Sequence, residues 1–189
     1  MEMPGNRQYE QDLILKIRNN DRGAFETLFR RYYTELCHFV QRYVNEPIIC
    51  EDLIQELFLR LWLHRYQWEP KGSVKAYLYK AARNKAFDYF RHKKIESEIE
   101  WETYKLEYLH QESQQEQCID EDLLAAVQKA VNKLPERMKL IFTLSREDGL
   151  SYPEIAEVLD LSVKTVETQM GRALKSLREQ LSDYFRIKS

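Results

Sequence analysis

Residues 151–166 read Ser151-Tyr-Pro-Glu-Ile-Ala-Glu-Val-Leu-Asp-Leu-Ser-Val-Lys-Thr-Val166, and this stretch decides the fold. Ser151 with Glu154 spells a capping box, and Pro153 sits in the first helical turn, where its missing N–H costs little. Ile155, Ala156 and Leu159 give this first helix an apolar face, and the small Ala156 lets a second helix cross closely. Asp160 occupies the turn, because a short polar side chain tolerates left-handed backbone better than most non-glycines. Ser162 then caps a second helix whose inward positions are expected to be Val163, Val166, Met170, Leu174, Leu177 and Leu181. Two capped helices at this spacing describe a helix-turn-helix, whose second helix fits a major groove. An ordinary helical hairpin with a charged outer face is the plainer alternative.

The outer face of that second helix carries Lys164, Thr165, Glu167, Thr168, Gly171, Arg172 and Lys175, and Gln169 joins the residues expected to contact DNA. Thr165, Glu167, Thr168 and Gln169 lie near the N-terminus, where base edges are met. A glutamate accepts from a cytosine amino group, and a threonine donates, accepts or touches a thymine methyl. Lys164, Arg172, Lys175 and Arg178 suit phosphates.

Working outward, the rest of the chain also reads as helix. Apolar residues recur at helical spacing from Tyr9 to Tyr43, broken once at Asn19-Asn20-Asp21. Asn45-Glu46-Pro47 ends the second helix, since the residue before proline is pushed out of the helical region. A third helix is expected from about Ile49 to Tyr66, and a fourth from Val74 to Lys94 with Ser73 as its cap. Four shorter helices follow, near 122–132, 135–146, 152–159 and 163–184. The expectation is an all-α protein of two small helical domains, 1–94 and 123–189, joined by an acidic linker over 95–122. Trp101, Tyr104, Leu106, Tyr108 and Leu109 give that linker partly helical character.

Charge sharpens this division. The net charge is only −2, yet residues 70–94 carry eight basic side chains against the single Asp88. Residues 95–122 carry ten acids against the single Lys105. Two solvated helix faces would explain this blandly; a polyanion-binding segment followed by an acidic tether explains it better. In the basic helix, Tyr77, Leu78, Ala81, Ala82 and Phe90 are expected inward. Lys75, Tyr79, Lys80, Arg83, Asn84, Phe87, Asp88 and Arg91 are left for the other side. Aromatics interleaved with cations suit single-stranded nucleic acid, where a base stacks while a cation meets its phosphate. The helix before it, Glu51 to His64, buries Ile54, Leu57, Phe58, Leu61 and Trp62 on one side. Leu59 and Leu63 lie nearer Asp52, Gln55 and Glu56, leaving a mixed apolar and acidic patch for a partner.

At 189 residues with 32% charged side chains, the composition is that of a soluble protein. No apolar stretch approaches the roughly 20 residues of a membrane span, so no membrane insertion is expected. The N-terminus lacks the pattern of a signal peptide, and three cysteines (Cys37, Cys50, Cys118) suggest no disulfide framework. Both point to a cytoplasmic setting. Glu35-Leu-Cys-His38 and Glu107-Tyr-Leu-His110 are two Glu-x-x-His pairs, the raw material of a di-iron bundle. However, Glu107 falls in the acidic linker and four matched long helices are missing. With no glycine phosphate loop, zinc spacing or nucleophile motif, no cofactor, no metal and no catalysis are expected. A helix-turn-helix activator with a sensor domain is the other rival, and it leaves the basic helix unexplained.

Taken in order, these segments resemble an RNA polymerase sigma factor of the sigma-70 family, in its extracytoplasmic-function (ECF) group. The strings that carry the likeness are Asp52-Leu-Ile-Gln-Glu-Leu-Phe-Leu-Arg-Leu-Trp62, Ala81-Ala-Arg-Asn84 with Asp88 and Arg91, and Leu134-Pro-Glu-Arg137. Asp148-Gly-Leu-Ser-Tyr-Pro-Glu-Ile-Ala-Glu-Val-Leu159 and Ser162-Val-Lys-Thr-Val-Glu167 complete them. The resemblance implies that Asp52, Gln55, Glu56 and Arg60 dock on core RNA polymerase, and Leu59 of the patch above is expected to join them. It implies that the Val74–Lys94 helix melts and reads the minus-ten promoter element, with Asn84 near an extruded non-template base. The helix-turn-helix would read the minus-thirty-five element, and an anti-sigma factor would hold the protein inactive. The chain departs from the family's usual pattern at three places: Tyr77 for tryptophan, Asp160 for a turn glycine, and Glu167 for a basic residue.

Overall fold

The computed structural model describes residues 4–96 and 121–187, with side chains at 9–93 and 125–182. The chain divides into two compact units, Met1–Tyr108 and Leu109–Ser189, whose boundary falls inside the acidic segment. Residues 97–120, including the expected linker aromatics and Cys118, lie outside the described residues. The described residues are helical, with no strand among them.

The first unit contains α1 (Pro4–Arg18), α2 (Arg22–Gln41), α3 (Pro47–Leu63), a 3-10 turn (Arg65–Gln67) and α4 (Val74–Glu96). Its breaks follow the sequence signals. Asn20 adopts a positive φ of 68°, and the Asp21 carboxylate accepts the Ala24 N–H at 3.0 Å to cap α2. Pro47 stands at the start of α3, where the helix needs no N–H from it. α3 stops short of the expected Tyr66. There Arg65 donates to the Trp62 carbonyl and to the Tyr66 hydroxyl, both at 2.7 Å. Its guanidinium lies 4.3 Å and 4.2 Å from the two ring centroids, so the cation closes the helix by taking a terminal carbonyl.

α2 packs on α3 and α4, α3 packs on α4, and α1 lies against α2 and the 3-10 turn. Their shared core is Ile17, Leu28, Leu36, Phe39, Ile54 and Phe58, all essentially inaccessible. Each such side chain contributes roughly 1.5–3 kcal/mol by leaving water. Cys50 belongs to this core. Its thiol donates to the Val44 carbonyl at 3.1 Å, and burial pushes its pKa up to about 11, so it stays an unreactive thiol.

α4 is fixed at its N-terminus from two directions. Ser73 Oγ accepts the Ala76 N–H at 3.0 Å, as expected of a cap. The buried Glu10 of α1 accepts the Val74 N–H at 3.3 Å across 64 positions of sequence. The inward face of α4 differs from expectation. Val74, Ala76, Leu78, Tyr79, Ala82 and Ala86 are buried, whereas Tyr77 is 37% exposed and Ala81 and Phe90 are only half-buried. Tyr79 is therefore corrected from the outer face to the core. Its ring packs 4.9 Å from Phe39, and its hydroxyl donates to Glu35 at 3.4 Å, which satisfies the polar end of a buried tyrosine.

The second unit contains α5 (Glu121–Asn132), α6 (Glu136–Arg146), α7 (Tyr152–Leu159) and α8 (Val163–Ile187). α8 is its spine, packed by α5, α6 and α7. Ala130, Val131 and Leu134 meet Ala173 and Leu177, with Phe142 and Leu181 partly buried beside them. The inner line of α8 runs Val166, Met170, Ala173, Leu177, at steps of four, three and four. Val163 and Leu174 flank that line and are 39% and 36% exposed, contrary to expectation. On α7, Val158 is fully buried and Leu159 only partly so.

Candidate functional site

Three surfaces stand where the sequence singled out residues. The first is the outer side of α3, where Asp52, Gln55, Glu56, Leu59 and Arg60 are all exposed. Leu59 and Leu63, one turn apart, are 56% and 60% exposed, so an apolar strip runs beside the carboxylates. Gln55 is steadied by its amide donating to Tyr33 Oη at 3.4 Å. Glu56 reaches across to α4 and accepts a hydrogen bond from Lys85. That bond holds the Glu56 carboxyl below its usual range, against partial desolvation, and the Lys85 and Arg60 charges act in the same direction.

The second surface is α4. Asn84 and Arg91 are exposed, and Lys75, Lys80, Arg83, Phe87 and Asp88 are half-buried. Arg83 lies 5.0 Å over the Phe87 ring, and Phe87 meets Tyr43 edge-on at 5.6 Å, so one side of Phe87 belongs to the core. Asp88 pairs with Arg91 at 3.0 Å. Lys75 lies 4.0 Å from Glu35, and Lys93 lies 3.4 Å from Glu46. With Lys85 on Glu56, three of the helix's lysines face acids from elsewhere in the unit. Tyr77 is the aromatic that α4 does present outward, tilted 6.1 Å from the buried Trp68.

The third surface is the helix-turn-helix. Both the N–H and the hydroxyl of Ser151 donate to Glu154 at 2.7 Å, giving the expected capping box. Asp160 adopts φ 55° and ψ 47°, and the Leu161 N–H returns to the Ala156 carbonyl at 2.9 Å, which turns the chain between α7 and α8. Ser162 Oγ accepts the Thr165 N–H at 3.1 Å and shares a 2.7 Å hydrogen bond with the Thr165 hydroxyl. Lys164, Glu167, Thr168, Arg172 and Lys175 are exposed, and Thr165 and Gln169 are half-buried. Thr168 donates its hydroxyl proton to the Lys164 carbonyl at 2.8 Å. Lys175 sits 4.0 Å from Glu179.

Sequence reasoning missed Lys85, Arg65 and Glu10. Lys85 sits on the border of the buried stripe, next to Ala86, which is the only hint it gave. Glu10 gave none, because its partner is remote in sequence. Glu35 of the first Glu-x-x-His pair is turned toward Tyr79 and Lys75, and Glu107 and His110 lie outside the described residues. No three metal-ligating side chains are grouped among the described residues, and no described helix is long and apolar enough to cross a membrane.

Family profiles match both units. Sigma-70 region 2 matches residues 28–95, and Sigma-70, region 4 matches residues 124–177, together more than half of the chain. The chain belongs to the sigma-70 family. This sigma factor is similar to the ECF RNA polymerase sigma factor SigW of Bacillus subtilis strain 168. They share 27% identity over 178 residues, or 90% of this chain and 95% of SigW. It is equally similar, at 27% over 185 residues, to the ECF RNA polymerase sigma-E factor of Escherichia coli K12, covering 94% and 96% of the two chains. Its fold is shared with CnrH, solved with the cytosolic domain of CnrY, at a TM-score of 0.59 and 24% identity over 92% and 97% of the chains. It is shared also with RpoE, solved with the anti-sigma factor NepR from Bartonella quintana, at 0.57 and 22% over 84% and 96%. This sigma factor falls in the ECF group and is a transcription initiation factor.

Proposed function

We propose that this sigma factor divides its work among the three surfaces. The domain over 1–94 docks on core RNA polymerase through Asp52, Gln55, Glu56, Leu59 and Arg60 of α3. The same domain reads and opens the minus-ten element with α4, through Lys75, Lys80, Arg83, Asn84, Phe87, Asp88 and Arg91. The domain over 123–189 reads the minus-thirty-five element with Lys164, Thr165, Glu167, Thr168, Gln169, Arg172 and Lys175. The protein carries no catalytic group of its own; polymerase does the chemistry, in the cytoplasm. An anti-sigma factor restrains it, a reading supported by the partners with which CnrH and RpoE were solved.

The observation that carries the docking assignment is the exposed strip of α3. Leu59 and Leu63 stand in water on a helix where Leu57 and Leu61 are buried and Leu53 is half-buried. An apolar strip rimmed by Asp52, Gln55 and Glu56 has the composition of a docking patch. Co-purification with core polymerase tests it, comparing the wild type with the Gln55→Ala/Leu59→Asp double variant. Loss of association in the folded variant is expected. A wild-type chain that ignores polymerase yet binds duplex DNA alone would instead favour an ordinary helix-turn-helix activator.

A further inference from the structure

Glu167 is the fifth residue of α8, on the part of a helix-turn-helix that meets base edges. It is an exposed carboxylate with neither a hydrogen bond nor an ion pair to any described residue. The cause is local. A cation three or four residues further along the helix would pair with it, but those positions hold the buried Met170 and Gly171. Nothing lies within 4 Å of where a Cβ on Gly171 would stand, so the surface beside Glu167 is open. Lys164, three residues before it, makes no pair with it. The neighbouring hydroxyls are engaged inside the protein, Thr165 with Ser162 and Thr168 with the Lys164 carbonyl.

A free carboxylate on a surface that approaches a polyanion is unfavourable unless its oxygens meet a donor. In the major groove the only donors are the amino groups of cytosine and adenine. Adenine sets its amino group beside the N7 acceptor, which repels a carboxylate. Cytosine presents its amino group with no acceptor on the same base, whereas guanine and thymine present acceptors. We propose that Glu167 is a specificity-determining residue that reads one cytosine of the minus-thirty-five element. This rests on the helix-turn-helix reading above and adds to it the base that one side chain selects.

The test uses the full chain assembled with bacterial core RNA polymerase and a duplex promoter library randomised across the minus-thirty-five element. Bound promoters are sequenced for the wild type, Glu167→Gln and Glu167→Ala. The wild type is expected to favour cytosine about tenfold or more at one position. Glu167→Ala should lose the preference at that position alone. Glu167→Gln, nearly identical in shape, should move it toward adenine, whose paired donor and acceptor match an amide. An unchanged base profile in both variants overturns the proposal, as does a uniform change at every position, which would mean charge alone. A wild type that shows no preference anywhere in the element overturns the helix-turn-helix reading as well, so the two failures are distinguishable.

Discussion

Tyr77 and Tyr79 are two positions apart on one helix, so their side chains leave the axis about 200° apart and only one can face the core. The expected stripe puts Tyr77 inward with Leu78, Ala81 and Ala82, yet spacing lets Tyr79 join Leu78 and Ala82 just as well. What decides the matter is the partner on α2. Phe39 meets the Tyr79 ring, and Glu35 waits for its hydroxyl. Tyr79→Ala should therefore destabilise the first unit by about 3–5 kcal/mol, from lost burial and the cavity left behind. Tyr79→Phe keeps the ring, loses one long hydrogen bond, and should cost about 1 kcal/mol. Urea unfolding followed by tryptophan fluorescence reads this unit selectively, since Trp62 and Trp68 lie in it and no tryptophan falls within 109–189. A Tyr79→Ala protein of normal stability but poor promoter opening would return Tyr79 to the DNA-facing side.

At the scale of the element, caps and breakers were legible because their chemistry is local. Asp21, Ser73, Ser151, Asp160 and Ser162 each act within a few residues, and each helix begins or turns where they stand. The end of α3 was not legible, since nothing in the apolar period announces that Arg65 will take the Trp62 carbonyl. Nor was the second hold on α4. Val74 is almost wholly buried, so its N–H depends on the Glu10 carboxylate rather than on water. Glu10→Ala should leave that donor unsatisfied and destabilise the unit by about 1–3 kcal/mol. Glu10→Gln, which keeps an acceptor oxygen, should recover most of the loss. The same fluorescence-monitored unfolding checks both, and equal stability of the two variants would mean that the contact does not hold α4.

For the whole molecule, the formal excess of positive charge over residues 70–94 announced a polyanion-binding segment, but formal charge does not say which cations are free to bind. The acids that meet three of them lie elsewhere in the unit: Glu56 on α3 holds Lys85, Glu35 on α2 approaches Lys75, and Glu46 before α3 approaches Lys93. Pairing across elements depends on the fold, so the sequence could locate the basic helix without ranking its lysines. Salt dependence makes the ranking measurable. Each cation that neutralises a phosphate adds about 0.9 to the slope of log affinity against log salt concentration. Arg172 is exposed on α8 and has no ion pair with any described residue, and the proposed function sets it against the DNA. With the assembled polymerase titrated on promoter DNA between low and moderate salt, Arg172→Ala should weaken binding across sequences and flatten the slope by about one. Lys85→Ala should change the slope far less, because the charge it removes already faces Glu56. Equal losses of slope would show that the Lys85–Glu56 pair opens when DNA arrives, and the basic helix would then act with its full formal charge.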